Sequence, residues 1–338
     1  MSLFFKRIVS LGLLALLIIT QTGCGANPER KVSDSGFYLD TECTITVYDM
    51  DESEAAGLIA GAFDLCADYE SKLSKTIEGS DVDRINNAGG KPVKVSEETL
   101  DVISLGLEAG KESDGAFDIT VGRITDLWDF KAEDPKVPAE KDIREAVSTV
   151  GYENVKIDGD TVSLGGDAKI DLGGIAKGYI SYKLAEYLEE NGAEHAIINL
   201  GGNVVAVGTK PDGSDWKVGI QDPNAERQTV IGSTPAKDQA VITSGIYERK
   251  FEKDGKIYHH IIDPETGYPV ENDIEGVTIK CASEDAGMCD AYSTICLLKG
   301  SAEGKRFIES KKGFEALFYK KDGTVVKTDG MDFEPAEE

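Results

Sequence analysis

The chain has 338 residues, of which 40% are hydrophobic and 29% charged, enough apolar content for a sizeable core and too mixed for global disorder. Acidic residues outnumber basic ones 62 to 36, and the net charge of −26 argues against general attraction to nucleic acid or anionic lipid headgroups. Six cysteines without CxxC spacing and only three histidines argue against a zinc site or a disulfide framework, so the thiols other than Cys24 are expected to be buried and free.

At the N-terminus Lys6 and Arg7 precede an apolar run from Ile8 to Ile19, which gives way to Thr22-Gly23-Cys24. A basic stretch, a short apolar stretch and a small-residue cleavage site describe an export signal over residues 1–23. The run is shorter than the roughly 20 residues of a membrane-spanning helix. The Gly-Cys pair resembles a lipobox, which implies lipidation at Cys24, although Gln21 departs from the leucine usual three positions earlier. An ordinary secretory signal with an incidental cysteine is the alternative. Without Lys6 and Arg7 the charge becomes −28, so a membrane link would rest on the lipid. Residues 24–36 are polar and read as a tether, residues 37–330 as one large domain, and residues 331–338 as an acidic tail.

Thr44 to Tyr48 alternates as a strand does. Ser53 is placed as the N-cap of a helix with Leu58, Ile59, Ala62, Phe63, Cys66 and Tyr69 on its apolar face. Further helices are expected over Ser96–Glu112, with Val102, Ile103, Leu105 and Ala109 inward, and over Lys141–Val150 after a loop at 134–138. Val162–Leu164 and Lys169–Leu172 read as strands, followed by a helix over Ile175–Glu190 that Gly192 closes. Strands follow at Ala196–Leu200, Val204–Val207, Trp216–Ile220, Gln239–Thr243, Tyr258–Ile262 and Val277–Lys280. A helix over Asp290–Leu298 precedes a hairpin of Ala316–Tyr319 with Val325–Lys327 about Asp322-Gly323. Strands and helices mix without regular alternation, so the fold class is α+β.

Three segments could carry chemistry. In Asp171-Leu172-Gly173-Gly174-Ile175-Ala176-Lys177-Gly178-Tyr179, paired glycines lead into a helix start that offers free N–H groups. Lys177 opposes the helix dipole, which suits a nearby phosphate; a simple tight turn is the alternative. The segment is neither GxGxxG nor a P-loop. In the second, His259 and His260 adjoin on a strand, so their side chains should diverge, and one of them could serve as a general base beside the turn of Asp263-Pro264 and Thr266-Gly267, or else fill a satisfied structural role. In the third, Asp290 and Thr294 share a helix face and offer the hard oxygens that Mg²⁺ prefers, or else cap and pack.

Taken together with Asn199-Leu200-Gly201-Gly202-Asn203, Val218 to Pro223, Thr243-Ser244-Gly245, Asp114 to Gly122 with Leu127-Trp128, and Ser71 to Asn86, these segments resemble in order the motifs of the ApbE family, the FAD:protein FMN transferases. The resemblance spans about Phe37 to Tyr319. It implies two intimately packed mixed subdomains of the ApbE, T-fold-like kind, with FAD as substrate and Mg²⁺ as cofactor. His260 matches the catalytic base; Asp290, Thr294 and the Gly174 carbonyl match the metal ligands. Asp171, Lys177, Ala116, Phe117, Asp118 and Ile262 fall at flavin-nucleotide contacts. Asp40-Thr41 stands where Gly-Thr is common, and Ile246 where aspartate is. The implied reaction moves FMN from FAD to a threonine or serine of an exported or membrane redox protein, on the extracytoplasmic face of a bacterial membrane, and releases AMP. FAD hydrolysis and non-catalytic FAD carriage are the alternatives.

Overall fold

A computed structural model describes residues 30–225 and 229–337. Cys24 and the export signal lie outside these residues. The frame is an eight-stranded antiparallel sheet whose spatial order follows the chain: β1 (Lys31–Tyr38), β2 (Thr41–Tyr48), β3 (Ala196–Leu200), β4 (Asn203–Val207), β5 (Gln239–Gly245), β6 (Ile274–Ala282), β7 (Glu315–Lys320) and β8 (Val325–Lys327). Everything else except the C-terminal strand Glu334–Pro335 is inserted between neighbours. Between β2 and β3 come α1 (Glu52–Leu73), α2 (Asp81–Asn87), α3 (Glu97–Glu112), α4 (Gly122–Trp128), α5 (Glu140–Val147) and α6 (Ala176–Glu190); α7 (Ala286–Glu309) joins β6 to β7. The α+β assignment holds.

Alternation along the strands explains the layering. Ile198, Leu200, Val205, Ile242 and Ile279 face α1, α6 and α7 and form the main core with Ile180, Leu184 and Leu188, the three α6 residues at i, i+4 and i+8 spacing. Ile197, Val204, Ala206 and Val241 point the other way, onto a ribbon of Trp216–Gln221 paired with Val230–Ala236. A smaller aromatic core holds α4 and α5 against the hairpin of Lys250–Lys253 and Lys256–His259; Trp128 sits at its centre and its indole N–H donates to the Gly267 carbonyl at 2.8 Å. All five described cysteines are buried and free, as expected.

Several expectations need correction. The tether assigned to residues 24–36 ends earlier, because residues 31–36 belong to β1 and pair with β2. The tail assigned to 331–338 is docked: Met331 is 1% exposed beside Ile220 and Leu317, and Glu334–Pro335 pairs with Gly232 and Ser233. The N-cap of α1 is Asp51, whose carboxylate accepts from both the N–H and the hydroxyl of Ser53. Residues 169–172 form no strand and only one bridge, between Lys169 and Val121. Their backbone groups are taken instead by the Asn86 amide, which bonds both the N–H and the carbonyl of Ile170, and by the Ile119 carbonyl. The last helix starts one turn before Asp290 and is kinked at Gly300, whose φ of +75° interrupts the helical backbone.

Candidate active site

The site forms where the start of α6 meets the first turns of α7. Gly178 makes the approach close: a Cβ there would lie 2.1 Å from the Ala286 carbonyl oxygen and 2.7 Å from the Asp290 Cβ. Through this contact the Gly178 N–H donates to Asp290 Oδ2 at 3.0 Å. The other oxygen of Asp290, a residue only 1% exposed, has the Lys177 ammonium at 3.8 Å, an ion-pair distance too long for a direct hydrogen bond. One turn on from Asp290, Thr294 lies beside Gly174, where an added Cβ would sit 3.5 Å from the Thr294 hydroxyl and 3.1 Å from the Phe117 ring. Gly174, Lys177, Asp290, Thr294 and Phe117 are therefore one cluster.

Asp171 anchors the loop leading into α6. Burial pushes its carboxyl up, but the Lys75 ammonium, the Gly173 N–H and the Thr125 hydroxyl outweigh that and hold it below the usual carboxylate range. Lys75 Nζ reaches Asp171 at 3.1 Å, Asp126 at 2.7 Å and the Thr125 hydroxyl at 2.6 Å. Lys75 lies within the Ser71 to Asn86 stretch that carries part of the family resemblance. A lysine in a polar loop carries no local sign that it is held by acids from α4 and from the loop before α6.

The two histidines diverge as expected, although His260 lies just beyond the strand ending at His259. The His259 ring donates from Nε2 to the Val270 carbonyl at 3.0 Å and is 5% exposed. Its pKa is pushed down to about 4, chiefly by burial. The His260 ring is half-buried and its Nδ1 lies 3.3 Å from the Arg249 carbonyl, which fixes Nδ1 as the protonated nitrogen and leaves the Nε2 lone pair free. Burial, and then the Arg249 charge, push its pKa down to about 3, so the ring is neutral at pH 7.

The remaining expected residues occupy two settings. Ala116 and Phe117 lie in the loop after α3, with Phe117 packed next to Gly174 as above. Asp118 uses both oxygens internally, accepting from the Thr120 N–H and hydroxyl at 2.7 and 2.6 Å and from the Tyr152 N–H at 2.8 Å, so its carboxylate holds the loop in place. Burial raises its pKa against those bonds. Ile262 is 7% exposed and its side chain packs into the aromatic core.

Among the described residues no three or more His, Cys, Asp and Glu side chains converge as a metal cluster. A hard cation with one carboxylate, one hydroxyl and one main-chain carbonyl needs no such cluster, since substrate oxygens and water complete its shell. Asp290 Oδ1, which has the Lys177 ammonium at 3.8 Å, lies next to Thr294 and Gly174 and fits that chemistry.

Comparison with known proteins decides the lineage: the sequence matches the ApbE family over residues 39–318. The chain belongs to the ApbE family. It is 34% identical to a FAD:protein FMN transferase of Klebsiella pneumoniae, over 88% of this chain and 92% of that one. With the FAD:protein FMN transferase of Treponema pallidum it shares 30% identity over 95% and 93%. The solved ApbE protein of Thermotoga maritima superposes with a TM-score of 0.82 at 33% identity, over 89% of this chain and 97% of that one. The flavin transferase ApbE of Vibrio cholerae gives 0.79 at 27%, over the same shares. This ApbE chain is thus a transferase. In it Gly174, Lys177, Phe117, Asp290 and Thr294 meet at the α6–α7 junction, whereas Ile262 packs into the aromatic core.

Proposed function

We propose that this protein transfers FMN from FAD to a threonine or serine hydroxyl of a partner protein, with Mg²⁺ held by Asp290, Thr294 and the Gly174 carbonyl. The observation that carries the reading is the geometry of His260: its Nδ1–H is tied to the Arg249 carbonyl, which leaves Nε2 as the nitrogen that can accept a proton. In the reaction the acceptor hydroxyl loses its proton to Nε2 as its oxygen attacks the FMN-side phosphorus. The bond from that phosphorus to the bridging oxygen breaks, and AMP leaves with the electron pair. The Lys177 ammonium binds the pyrophosphate; the helix start contributes little, because the N–H groups of Ile175 and Ala176 donate to the Leu172 carbonyl and that of Gly178 to Asp290. Mg²⁺ would supply charge neutralisation on the phosphate oxygens, which the acidic surface otherwise opposes.

The test is mass spectrometry of a threonine-bearing acceptor protein incubated with this protein, FAD and Mg²⁺. The expected product carries the mass of FMN less water on Ser/Thr, is lost with EDTA, and is absent with the His260→Gly variant, which still binds FAD. Free FMN and AMP with unmodified acceptors would replace the transferase with a hydrolase, and FAD left intact would overturn both.

The location is proposed from the sequence alone: export through residues 1–23 and lipid attachment at Cys24, outside the described residues. No described helix is long and apolar enough to cross a membrane. Cys24→Ala should move the protein from the membrane fraction to the soluble extracytoplasmic fraction. Unchanged membrane association would remove the anchor.

A further inference from the structure

Asn203 opens β4, is 1% exposed, and its side-chain Nδ2 has no hydrogen-bond partner. Such a donor is costly to leave unmet, because burial strips its water and nothing replaces it. Its direction follows from strand alternation. Val205 and Val207 share its face and belong to the core beneath the helices, whereas Val204 and Ala206 line the opposite face. The Asn203 amide therefore points into the helical layer.

Its neighbours locate it within that layer. On one side Asn203 pairs with Ile242 of β5. Two residues on, and on the same face, the Ser244 hydroxyl meets Ser293 at 2.7 Å; Ser293 in turn donates to the Asp290 carbonyl at 2.7 Å. On the other side Asn203 pairs with Leu200, and Leu200 with Cys43, whose thiol feels the Lys177 ammonium. The unmet amide thus lies on the sheet beneath the junction that carries Lys177 and Asp290. A neutral donor there suits an acceptor atom of a bound nucleotide, a carbonyl, ring nitrogen or phosphate oxygen.

We infer that Asn203 is a binding residue for the substrate nucleotide, its Nδ2–H donating to an acceptor atom of FAD. This rests on the flavin-transferase reading and adds to it a residue from the sheet. Fluorescence titration of FAD in the presence of Mg²⁺, with thermal unfolding of the ligand-free protein, tests it on wild type, Asn203→Leu and Asn203→Asp. Leucine keeps the volume and removes the unmet donor, so the free protein should unfold at the same or a higher Tm while FAD binds at least about tenfold more weakly. Aspartate keeps the shape, replaces the donor with an acceptor, and should weaken binding likewise. Unchanged FAD affinity in either folded variant overturns the inference, and so does a lowered Tm in Asn203→Leu with affinity retained. Wild type that fails to bind FAD under the same conditions would instead sink the parent reading.

Discussion

The main-chain N–H of Gly178 donates to a carboxylate oxygen of Asp290 at 3.0 Å, a bond that ties the first turn of α6 to the first turns of α7. It exists only because residue 178 has no side chain. Gly178→Ala would place a methyl 2.1 Å from the Ala286 carbonyl oxygen and force the helices apart. The expected outcome is a loss of about 1–3 kcal/mol in denaturant unfolding, with FAD affinity in Mg²⁺ reduced alongside. Gly57→Ala in α1 is the control: nothing lies within 4 Å of the added Cβ. That substitution should stabilise by about 0.5–1 kcal/mol, as expected for glycine replaced in a helix.

Lys75 predicts a rescue. Its partner Asp171 loses the cation that offsets its burial in Lys75→Met. The side chains retain 19% and 20% of their surface, so solvent screening limits the loss to about 1–2 kcal/mol. Asp171→Asn removes the stranded charge, and the double variant should unfold closer to wild type than Lys75→Met does. Strict additivity of the two single effects would mean that the pair is not coupled.

The histidines predict opposite readings for activity and stability. His260 stays neutral until its pKa of about 3, so turnover should not decline with the usual histidine titration as pH falls from 8 to 6. A pH–rate profile with an acid limb near 6.5 would contradict this. For stability, the folded pKa of His259, about 4, lies below the unfolded value of about 6.5. Between these values the unfolded chain binds the extra proton, so stability present above pH 6.5 is lost as pH falls toward 4. His259→Gln should flatten that slope by about one proton in urea melts across this window.

Met331 predicts that the C-terminus contributes to the fold. Met331→Ala opens a hole beside Ile220 and Leu317 and should cost about 2–4 kcal/mol, read from chemical denaturation. A change of a few tenths would return residues 331–338 to the role of a loose tail.

The candidate site segments stand out in the sequence because each is short and local: glycines before a helix, adjacent histidines, an acid and a hydroxyl four residues apart. The α6 core residues were legible through their 3.6-residue period. The terminal segments misled for a physical reason. β1 is an edge strand whose residues are mostly exposed, so its polar sequence matches that of a linker, while the acids around Met331 and Phe333 mask two core contacts. Lys75 and the Arg249 carbonyl matter through partners elsewhere in the chain, and Asn203 through the lack of one, and a single sequence carries no sign of either.

Because the sheet keeps chain order, β3 through β8 can pair by successive local additions, but β2 cannot join until residues 49–195 have been brought into place. Val47 meets Ala196 across a closure of roughly 150 residues, the longest entropic reach between neighbouring strands of the sheet. The β1–β2 hairpin is thereby the natural latecomer in assembly. A newly made chain would hold a partly built sheet with the edge of β3 open, and shielding that edge is the step at which this protein is most exposed to aggregation.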